Sequence, residues 1–357
     1  MAQIKGNKGE WSEIYAFLRL LSVGKLFAAD EELNRIESMF FPVLKIIREE
    51  VRGTKYEYLT GDIVKICLGD TPVMELPATT FNSEANKILD VLLHRGAGSG
   101  SFSVEDTETF MRKIHVNVLK ARSTDKSDIN VQLRDVNTGF EQVVGFSIKS
   151  ELGSSPTLLN AGKTTNFIYR VDGLPHDNVS EINAIDTDYK ILDRISAIKA
   201  NGGTFSFIKT ANDTLANNLI MIDSQMAVVV AEMLVVYYSG TAKTCTELLK
   251  NVTALNPLSR PAMFYEYKVK ELLCAVALGM KPATPWDGSD EATGGYIVVK
   301  TDGEVLAYHI YNRDSFKGYL LSNTRFESGG TTRHDYAVLY EENDEVYIKL
   351  NLQIRFI

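Results

Sequence analysis

Two residues, Asp128 and Lys149, have side chains that can together bind a metal ion and activate water. Lys149 lies within GFSIKS (Gly145 to Ser150), an alternating apolar stretch in which a buried lysine requires a partner. The carboxylate would hold a hard cation such as Mg²⁺, which prefers oxygen ligands. The ammonium would position or help deprotonate an attacking water, and the site would stabilise the negative charge that phosphodiester hydrolysis adds. The alternative is a structural Asp–Lys ion pair on a half-exposed hairpin.

A further carboxylate, Glu13, lies on the predicted first helix on one face with Phe17 and Leu20. A carboxylate on a core-facing stripe is costly without a partner, and a metal ion or lysine in the hairpin cleft would supply one. Glu10, one turn earlier, is the other candidate, although the helix dipole would also favour it as a solvated first-turn acid. We therefore prefer Glu13 as the helix carboxylate.

A predicted β-hairpin positions Asp128 and Lys149. Residues 128–136 (DINVQLRDV) are typical of one strand, residues 137–139 predict a tight turn, and EQVVGFSIKSEL is the returning strand. Ser147, Lys149 and Glu151 lie on one face of that strand because side chains alternate with a period of two.

The remaining pattern predicts a first half that is mostly helical and a second half that is helix-rich until about Met280 and β-rich after it. Among the predicted helices of the first half, one begins near Asp30 and is interrupted by Pro42, and another runs from Ser103, its N-cap, to Leu119. We interpret GAGSGS (Gly96 to Ser101) as a linker. The predicted fold class is mixed α/β.

Composition limits the class of protein. The chain has 357 residues, 45% apolar and 24% charged, with a formal charge of −8, which is typical of a globular protein and argues only weakly against a nucleic-acid partner. Cys67, Cys245 and Cys274 lack the spacing of a zinc site or a disulfide framework. Because no signal peptide is evident and the longest apolar run is too short to span a bilayer, we expect a cytoplasmic protein with no membrane partner.

Three segments, considered together, resemble the HpaII family of type II restriction endonucleases: GNKGEWSEIY, GFSIKSELGSSPTLLNAGKTTNFIY and LLSNTRFESGGTTRHDY…YIKLNLQIRF. The resemblance spans nearly the full chain. It implies a PD-(D/E)xK nuclease core, a mixed sheet flanked by helices, with additional helical and β-hairpin regions. It also implies a Mg²⁺-dependent enzyme that cuts double-stranded DNA within a short palindrome, expected to be CCGG.

The same resemblance assigns roles to individual residues. Asp128, Lys149 and Glu13 would be the catalytic motif residues, and the metal ligands would be Asp128, Glu13 and the main-chain carbonyl of Ile148. Ser147 occupies a position at which the superfamily usually has an acid, and it would contact a metal weakly or through water.

Two further positions bear on how closely the chain follows the motif. Ser127 precedes Asp128, where the motif has proline. Glu151 either partly replaces the missing acid or lies past the end of the strand. These departures leave the number of metal ions open.

DNA contacts are expected from two segments, because guanine offers acceptors that match arginine or lysine in the major groove. The first segment follows the catalytic strand, and its alternative role is that of a capped turn. The second lies near the C-terminus, and its alternative role is that of an exposed polar loop. The candidate residues are Asn160, Lys163, Thr164, Thr165, Asn166, Arg325, Arg333 and His334.

A weak boundary predicts a nuclease core at residues 1–175 and a DNA-recognition region at residues 176–357. The partners that the resemblance implies are double-stranded DNA and a cognate cytosine methyltransferase that protects the host genome. A homodimer would suit a palindromic site, and a monomer that nicks each strand in turn is the alternative. The alternatives are a repair or junction-cleaving nuclease on the same core and, suggested by Ser147, a DNA-binding protein whose nuclease core has degenerated.

Overall fold

The predicted hairpin of Asp128 and Lys149 forms part of a mixed sheet in the computed structural model, which describes residues 3–95, 100–120, 127–309 and 312–357. Its strands are β1 (Lys25–Ala29), β2 (Arg35–Val51), β3 (Thr54–Leu59), β4 (Ile63–Leu68), β5 (Thr71–Pro77), β6 (Ile129–Arg134), β7 (Glu141–Ser150), β8 (Thr157–Leu159), β9 (Asn166–Asp172), β10 (Thr204–Thr210), β11 (Gly295–Val299), β12 (Val305–His309), β13 (Thr324–Phe326), β14 (Leu339–Glu342), β15 (Glu345–Asn351) and β16 (Ile354–Phe356).

The helices occur both before and after the hairpin strands, which confirms the mixed α/β class. They are α1 (Lys8–Val23), α2 (Ala78–His94), α3 (Glu105–Lys113), α4 (Asn178–Asn183), α5 (Lys190–Ala200), α6 (Asp213–Ile222), α7 (Met226–Tyr238), α8 (Cys245–Leu255), α9 (Ala262–Leu278), α10 (Arg313–Ser322) and α11 (Thr331–His334). A short 3-10 turn, Lys163–Thr165, precedes β9.

Two units divide the chain. One comprises Met1–Pro156 and Asp290–Tyr319, and the other comprises Thr157–Ser289 and Leu320–Ile357. This division differs from the predicted boundary at residue 175, because residues 157–175 belong to the second unit and residues 290–319 return to the first. That return supplies the two strands β11 and β12 to the first unit.

The first unit contains the large sheet, in the order β1-β12-β11-β7-β6-β2-β3-β4-β5. β7 is antiparallel to β6 and parallel to β11, so the strand that carries Lys149 is flanked on both sides. β1 pairs with β12 and also with the first part of β2, while the later part of β2 pairs with β6. Six strands therefore close into a ring, from which β3, β4 and β5 extend.

Strand β2 replaces the helix that was predicted near Asp30, so that prediction is wrong. Its apolar residues have a spacing that suits a helix locally, but pairing with β1, β6 and β3 determines the outcome. Pro42 lies where β2 changes partner: it pairs with Lys25 of β1, and pairing with β6 begins at Val43. A residue without an N–H is tolerated at such a position because few ladder hydrogen bonds depend on it.

Helix α1 is confirmed and lies in the core of the first unit, where Trp11, Phe17 and Leu18 are buried. Asn7 begins the helix in a capping box: its Oδ1 accepts from the N–H of Glu10 at 3.0 Å, and Glu10 Oε2 accepts from the N–H of Asn7 at 2.8 Å. Gly24 ends the helix with a φ of 65°, a left-handed conformation that favours glycine. These caps fix which residues of α1 face the sheet.

Helix α3 is shorter than predicted and begins after Val104 rather than at Ser103. It ends at Lys113, and His115 then takes a positive φ of 63°, which turns the chain out of the helix. Residues 116–120 continue without helical structure toward Asp128. Most of the predicted GAGSGS linker lies outside the described residues.

The second unit contains two smaller sheets, ordered β10-β9-β15-β14 and β13-β16-β8 within the described residues. The predicted helix-rich block corresponds to α6–α9, and β14 and β15 form an antiparallel hairpin in the part of the chain predicted to be β-rich. Within the described ranges, no single helix is long and apolar enough to cross a membrane. The bent pair α6 and α7, at 109°, meets that test by length and composition alone.

Candidate active site

The hairpin register places Asp128 beside the middle of β7. Ile129 pairs with Phe146, and the N–H of Asp128 donates to the carbonyl of Phe146 at 2.7 Å. Gly145 permits this close approach, because a Cβ there would lie 2.6 Å from the Cβ of Ser127. The glycine of GFSIKS therefore has a packing role at the entry to β6.

Asp128 uses its two carboxylate oxygens differently. Oδ2 accepts hydrogen bonds from the Ser147 hydroxyl at 3.1 Å and from the N–H of Ile148 at 2.8 Å. Oδ1 lies 3.6 Å from the ammonium of Lys120. The carboxylate is thus held by β7 through one oxygen, and the other faces a cation.

Lys149 lies beside Asp128 without a direct ion pair between them in the part of the chain that the structure describes. Its Nζ lies 5.4 Å from the ring centroid of Tyr296 on β11. Burial lowers the pKa of Lys149 below its ordinary value, while the charges of Asp128 and Glu13 oppose that shift. The simple Asp–Lys ion pair of the structural alternative is therefore not what the structure contains.

Glu13 reaches the same site from α1. Burial is the main reason that its pKa is raised to about 8, and the nearby charge of Asp128 raises it further. Its Oε2 is buried and has no hydrogen-bond partner among the described residues. A buried carboxylate oxygen without a partner is costly, so Glu13 Oε2 is available to bind a metal ion or to accept a hydrogen bond.

Glu10 and Glu151, the two alternative acids, have other partners. Glu10 closes the capping box of α1. Glu151 lies beyond the end of β7, is exposed, and accepts from the N–H of Thr301 at 3.3 Å. The geometry therefore favours Glu13 as the helix carboxylate and leaves Glu151 on the far side of the strand end.

A serine pair ties α1 to β7. Ser12 donates through its hydroxyl to Ser150 Oγ at 2.8 Å, and the Lys8 ammonium donates to the carbonyl of Leu152 at 2.9 Å. Ser12 follows Trp11, which is fully buried, so the contact is anchored in the core. These hydrogen bonds join the helix of Glu13 to the strand of Lys149.

Replacing Glu13 with glutamine is expected to remove a pH dependence from the stability of the DNA-free protein in EDTA. The pKa of Glu13 rises from 4.5 to about 8 on folding, so this proton stabilises the folded state fully below pH 4.5. The stabilisation is lost as the pH rises through about 8. Between pH 4.5 and about 8, the unfolding free energy of the unaltered protein should therefore fall by on the order of a few kcal/mol relative to that of Glu13→Gln. Urea unfolding of both proteins at several pH values within this range measures the difference. Parallel curves of unfolding free energy against pH for the two proteins would contradict the expectation.

The donor set fits Mg²⁺. Asp128 Oδ1 and Glu13 Oε2 are two carboxylate oxygens that no protein hydrogen bond among the described residues occupies. Carbonyls two residues apart on a strand point to the same side, so the carbonyl of Ile148 faces the side on which the carbonyl of Phe146 meets Asp128. Among the described residues no group of three or more His, Cys, Asp or Glu side chains can hold a metal ion. Mg²⁺ needs fewer protein ligands, because it keeps several waters.

Lys120 is a residue of this site that the sequence did not indicate. The segment before it is held by a buried pair on β2, Arg48 and Glu50. Arg48 donates to the carbonyl of Leu119 at 3.0 Å, and Glu50 Oε2 accepts from the N–H of Asn117 at 2.8 Å. No local pattern marks Lys120, because the residues that hold its segment, Arg48 and Glu50, are distant in sequence.

The two predicted DNA-binding segments come together in the second unit. The amide of Asn166 donates to the carbonyls of His334 and Asp335 at 2.9 and 3.1 Å. A Cβ on Gly329 would lie 2.8 Å from the Cβ of Ala161. The structure therefore joins two segments that are far apart in sequence into one polar surface.

The candidates on this surface differ in accessibility. Asn160, Lys163 and Arg333 are exposed, whereas Thr164 and His334 are partly buried. Arg325 is partly buried, and its guanidinium lies 3.5 Å from the carboxylate of Glu327.

Thr165 and Asn166, two further DNA-binding candidates, have internal hydrogen bonds. Both are buried, and the Thr165 hydroxyl donates to the carbonyl of Gly162 at 3.0 Å. The amide of Asn351 donates to Thr165 Oγ1 at 3.1 Å and to Asn166 Oδ1 at 2.7 Å. Their polar groups are therefore used to hold the turn that presents Lys163.

Comparisons with known proteins identify the family of this chain. The family model described as HpaII restriction endonuclease matches residues 7–356. The type II restriction enzyme HpaII of Haemophilus parainfluenzae is 38% identical over 357 residues, which cover 99% of this chain and 98% of that protein. No solved structure matches the chain.

These matches confirm the expected class of protein, a type II restriction endonuclease, which is a site-specific deoxyribonuclease. The chain belongs to the HpaII restriction endonuclease family.

Proposed function

We propose that the chain makes Mg²⁺-dependent hydrolytic cuts in double-stranded DNA at a short palindromic site, expected to be CCGG. The observation that carries the proposal is the convergence of Asp128, Glu13 and Lys149 in a member of this family. The similarity to the type II restriction enzyme HpaII, at 38% identity, supports the same expectation. The two alternatives are a repair or junction-cleaving nuclease and a DNA-binding protein with a degenerate core, and the experiment below distinguishes them.

The arrangement supports a PD-(D/E)xK core as the finer fold. An aspartate directly before one strand, a lysine on its antiparallel neighbour and a glutamate on the first helix are the parts of that core. The adjoining parallel strand β11 gives the mixed sheet that such a core requires.

Mg²⁺ would be held by Asp128, Glu13 and the main-chain carbonyl of Ile148. When bound, it supplies a Lewis acid that stabilises negative charge on the phosphodiester. Ser147, in this proposal, is a positioning residue: its hydroxyl donates to Asp128 Oδ2 and leaves Oδ1 to the metal.

Lys149 would act on the attacking water. Burial lowers its pKa, so a larger fraction of its amine is neutral and can accept a proton than for an exposed lysine. In its protonated form it would stabilise the added charge of the pentavalent phosphorus. Asp128 and Glu13 keep part of the positive charge in place, because both oppose the lowering of its pKa.

DNA reading would fall to the exposed groups of the second unit. Arg333 is suited to the O6 and N7 acceptors of guanine, and Lys163 and Asn160 to bases or phosphates. Arg325, Thr164 and His334 are less accessible and would contact DNA only at the edge of this surface. Thr165 and Asn166 would support it from within, as their internal hydrogen bonds indicate.

This gives the two units different tasks, with cutting assigned to the unit of Asp128 and reading to the unit of Arg333. A palindromic site suits a homodimer, in which the two copies would treat the two strands alike. We also propose a cognate cytosine methyltransferase as the genetic partner and a cytoplasmic location, where the DNA substrate lies.

Two duplexes test the proposed function, one with a single CCGG and one in which it is replaced by CGCG, a palindrome of the same composition. With Mg²⁺, cleavage of the CCGG duplex should be faster by about 10³-fold or more, since specific sites are favoured by such factors. EDTA should prevent cleavage of both.

Equal cutting of the two duplexes would contradict the expected site. Cutting of a four-way junction but of neither duplex would favour the junction-cleaving alternative. Binding to DNA without cutting at any Mg²⁺ concentration would favour a degenerate core.

A further inference from the structure

Lys120 stands at the oxygen of Asp128 that a metal ion would use. Oδ2 is engaged by the Ser147 hydroxyl and the N–H of Ile148, and the Lys120 ammonium lies 3.6 Å from Oδ1. A divalent cation bound to Oδ1 would lie close to the Lys120 ammonium, and the two positive charges would repel each other. Lys120 therefore occupies the position of a counter-ion that metal binding has to displace.

The position of Lys120 is set by buried structure. The Arg48 guanidinium donates to the carbonyls of Val118 and Leu119, and Glu50 accepts from the N–H groups of Asn117 and Val118. Arg48 and Glu50 are both buried on β2, the strand next to β6. The backbone that carries Lys120 is thus fixed beside the site.

The side chain of Lys120, by contrast, is exposed: its relative accessibility is 62%, against 12% for Asp128. An ion pair as exposed as this contributes little to stability. Stability therefore does not account for a lysine at this position. Its charge nevertheless reaches the whole site: burial raises the pKa of Glu13 and the charge of Lys120 opposes that rise, while burial lowers the pKa of Lys149 and the charge of Lys120 lowers it further.

We propose that Lys120 is a second lysine of the active site, the counter-ion of Asp128 in the DNA-free protein and a ligand of a DNA phosphate once a metal ion takes its place. This rests on the proposed function, because it assumes that Asp128 holds a metal ion. An exposed side chain on a fixed backbone can make this exchange without a change of fold.

Lys65 on β4 is a matched control. Its ammonium lies 3.4 Å from the carboxylate of Glu75 and its side chain is 54% exposed, much like Lys120. It is separated from β6 by β3 and β2 in the sheet. Lys65→Gln therefore removes the same charge from a similar exposed pair away from the site.

Mn²⁺ binding to the DNA-free protein, followed by electron paramagnetic resonance, tests the counter-ion. Lys120→Gln should bind Mn²⁺ about tenfold more tightly, since a like charge is removed from the site. Lys120→Arg and Lys65→Gln should bind it as the unaltered protein does.

The salt dependence of DNA binding tests the phosphate contact. It is measured on the CCGG duplex at a fixed low Mg²⁺ concentration, in a Lys149→Met background so that the DNA stays intact. Lys120→Gln should lower the slope of log K against log salt by about 0.9, the value of one phosphate contact. Lys120→Arg should keep the slope, and so should Lys65→Gln.

An unchanged Mn²⁺ affinity or an unchanged salt slope for Lys120→Gln overturns this inference. Cleavage of the CCGG duplex by the unaltered protein is assayed in parallel. If that protein cuts and Lys120→Gln shows no effect, only the role of Lys120 fails. If it does not cut, the proposed function fails.

Discussion

Lys149→Met is expected to lower the rate of DNA cleavage on the order of 10³-fold or more while leaving the fold intact. Lys149 is the group that would accept a proton from water and stabilise charge at the phosphorus. Methionine has a similar length, no charge and a flexible chain that fills irregular space. It removes the chemistry of the ammonium, together with its cation–π contact at 5.4 Å from the ring centroid of Tyr296, and can fill the space of the lysine stem.

Stability should change little in this variant, because the lost ammonium is desolvated and has no direct ion pair with Asp128. Single-turnover cleavage of the CCGG duplex measures the rate, and urea unfolding measures the fold. Lys65→Met, the same substitution at an exposed position of β4, serves as the control and should cut normally. A Lys149→Met rate within tenfold of the unaltered protein would remove Lys149 from the mechanism.

Sequence was sufficient for the parts of the site that local patterns encode. Alternation over residues 128–150 predicts both strands of the hairpin, although the first strand is shorter than predicted and runs from Ile129 to Arg134. The register between the strands was not predicted, because the connection between Arg134 and Glu141 is longer than the expected tight turn. Glu13 was found by a similar argument, since a carboxylate on the apolar face of α1 is out of place unless it has a partner.

Sequence was insufficient wherever distant segments decide the structure. β2 contains apolar residues whose spacing suits a helix, and only its pairing with β1, β3 and β6 makes it a strand. Lys120 is placed by Arg48 and Glu50, which lie on that same strand. The error at β2 therefore also hid the second lysine.

The unpredicted partner of Asn166 is another case. Turn chemistry and DNA contact were both compatible with its segment, and the hydrogen bonds of Asn166 to residues near the C-terminus show that its own amide is used within the protein. Those hydrogen bonds join residues that are far apart in the sequence. The pattern of either segment alone therefore cannot predict them.

Asp128→Asn is expected to weaken Mn²⁺ binding at least about tenfold and to lower cleavage on the order of 10³-fold. Asparagine has the same shape, and its carbonyl can still accept from the N–H of Ile148. The fold should therefore persist while the charged ligand is lost. Mn²⁺ binding in the absence of DNA and single-turnover cleavage measure the two losses separately.

Ser147→Ala, compared with Asp128→Asn, distinguishes a positioning role of Ser147 from a role as a metal ligand. In the proposed PD-(D/E)xK core Ser147 stands where an acid is usual, and its hydroxyl lies 3.1 Å from Asp128 Oδ2. A second carboxylate at that distance would repel the first, whereas a hydroxyl donates to it and holds it in place. If Ser147 only positions Asp128, its loss removes one of two hydrogen bonds and costs about tenfold or less in rate. Equal losses of Mn²⁺ affinity in Ser147→Ala and Asp128→Asn would instead make Ser147 a metal ligand. That result would mean that the serine has taken over the task of the missing acid.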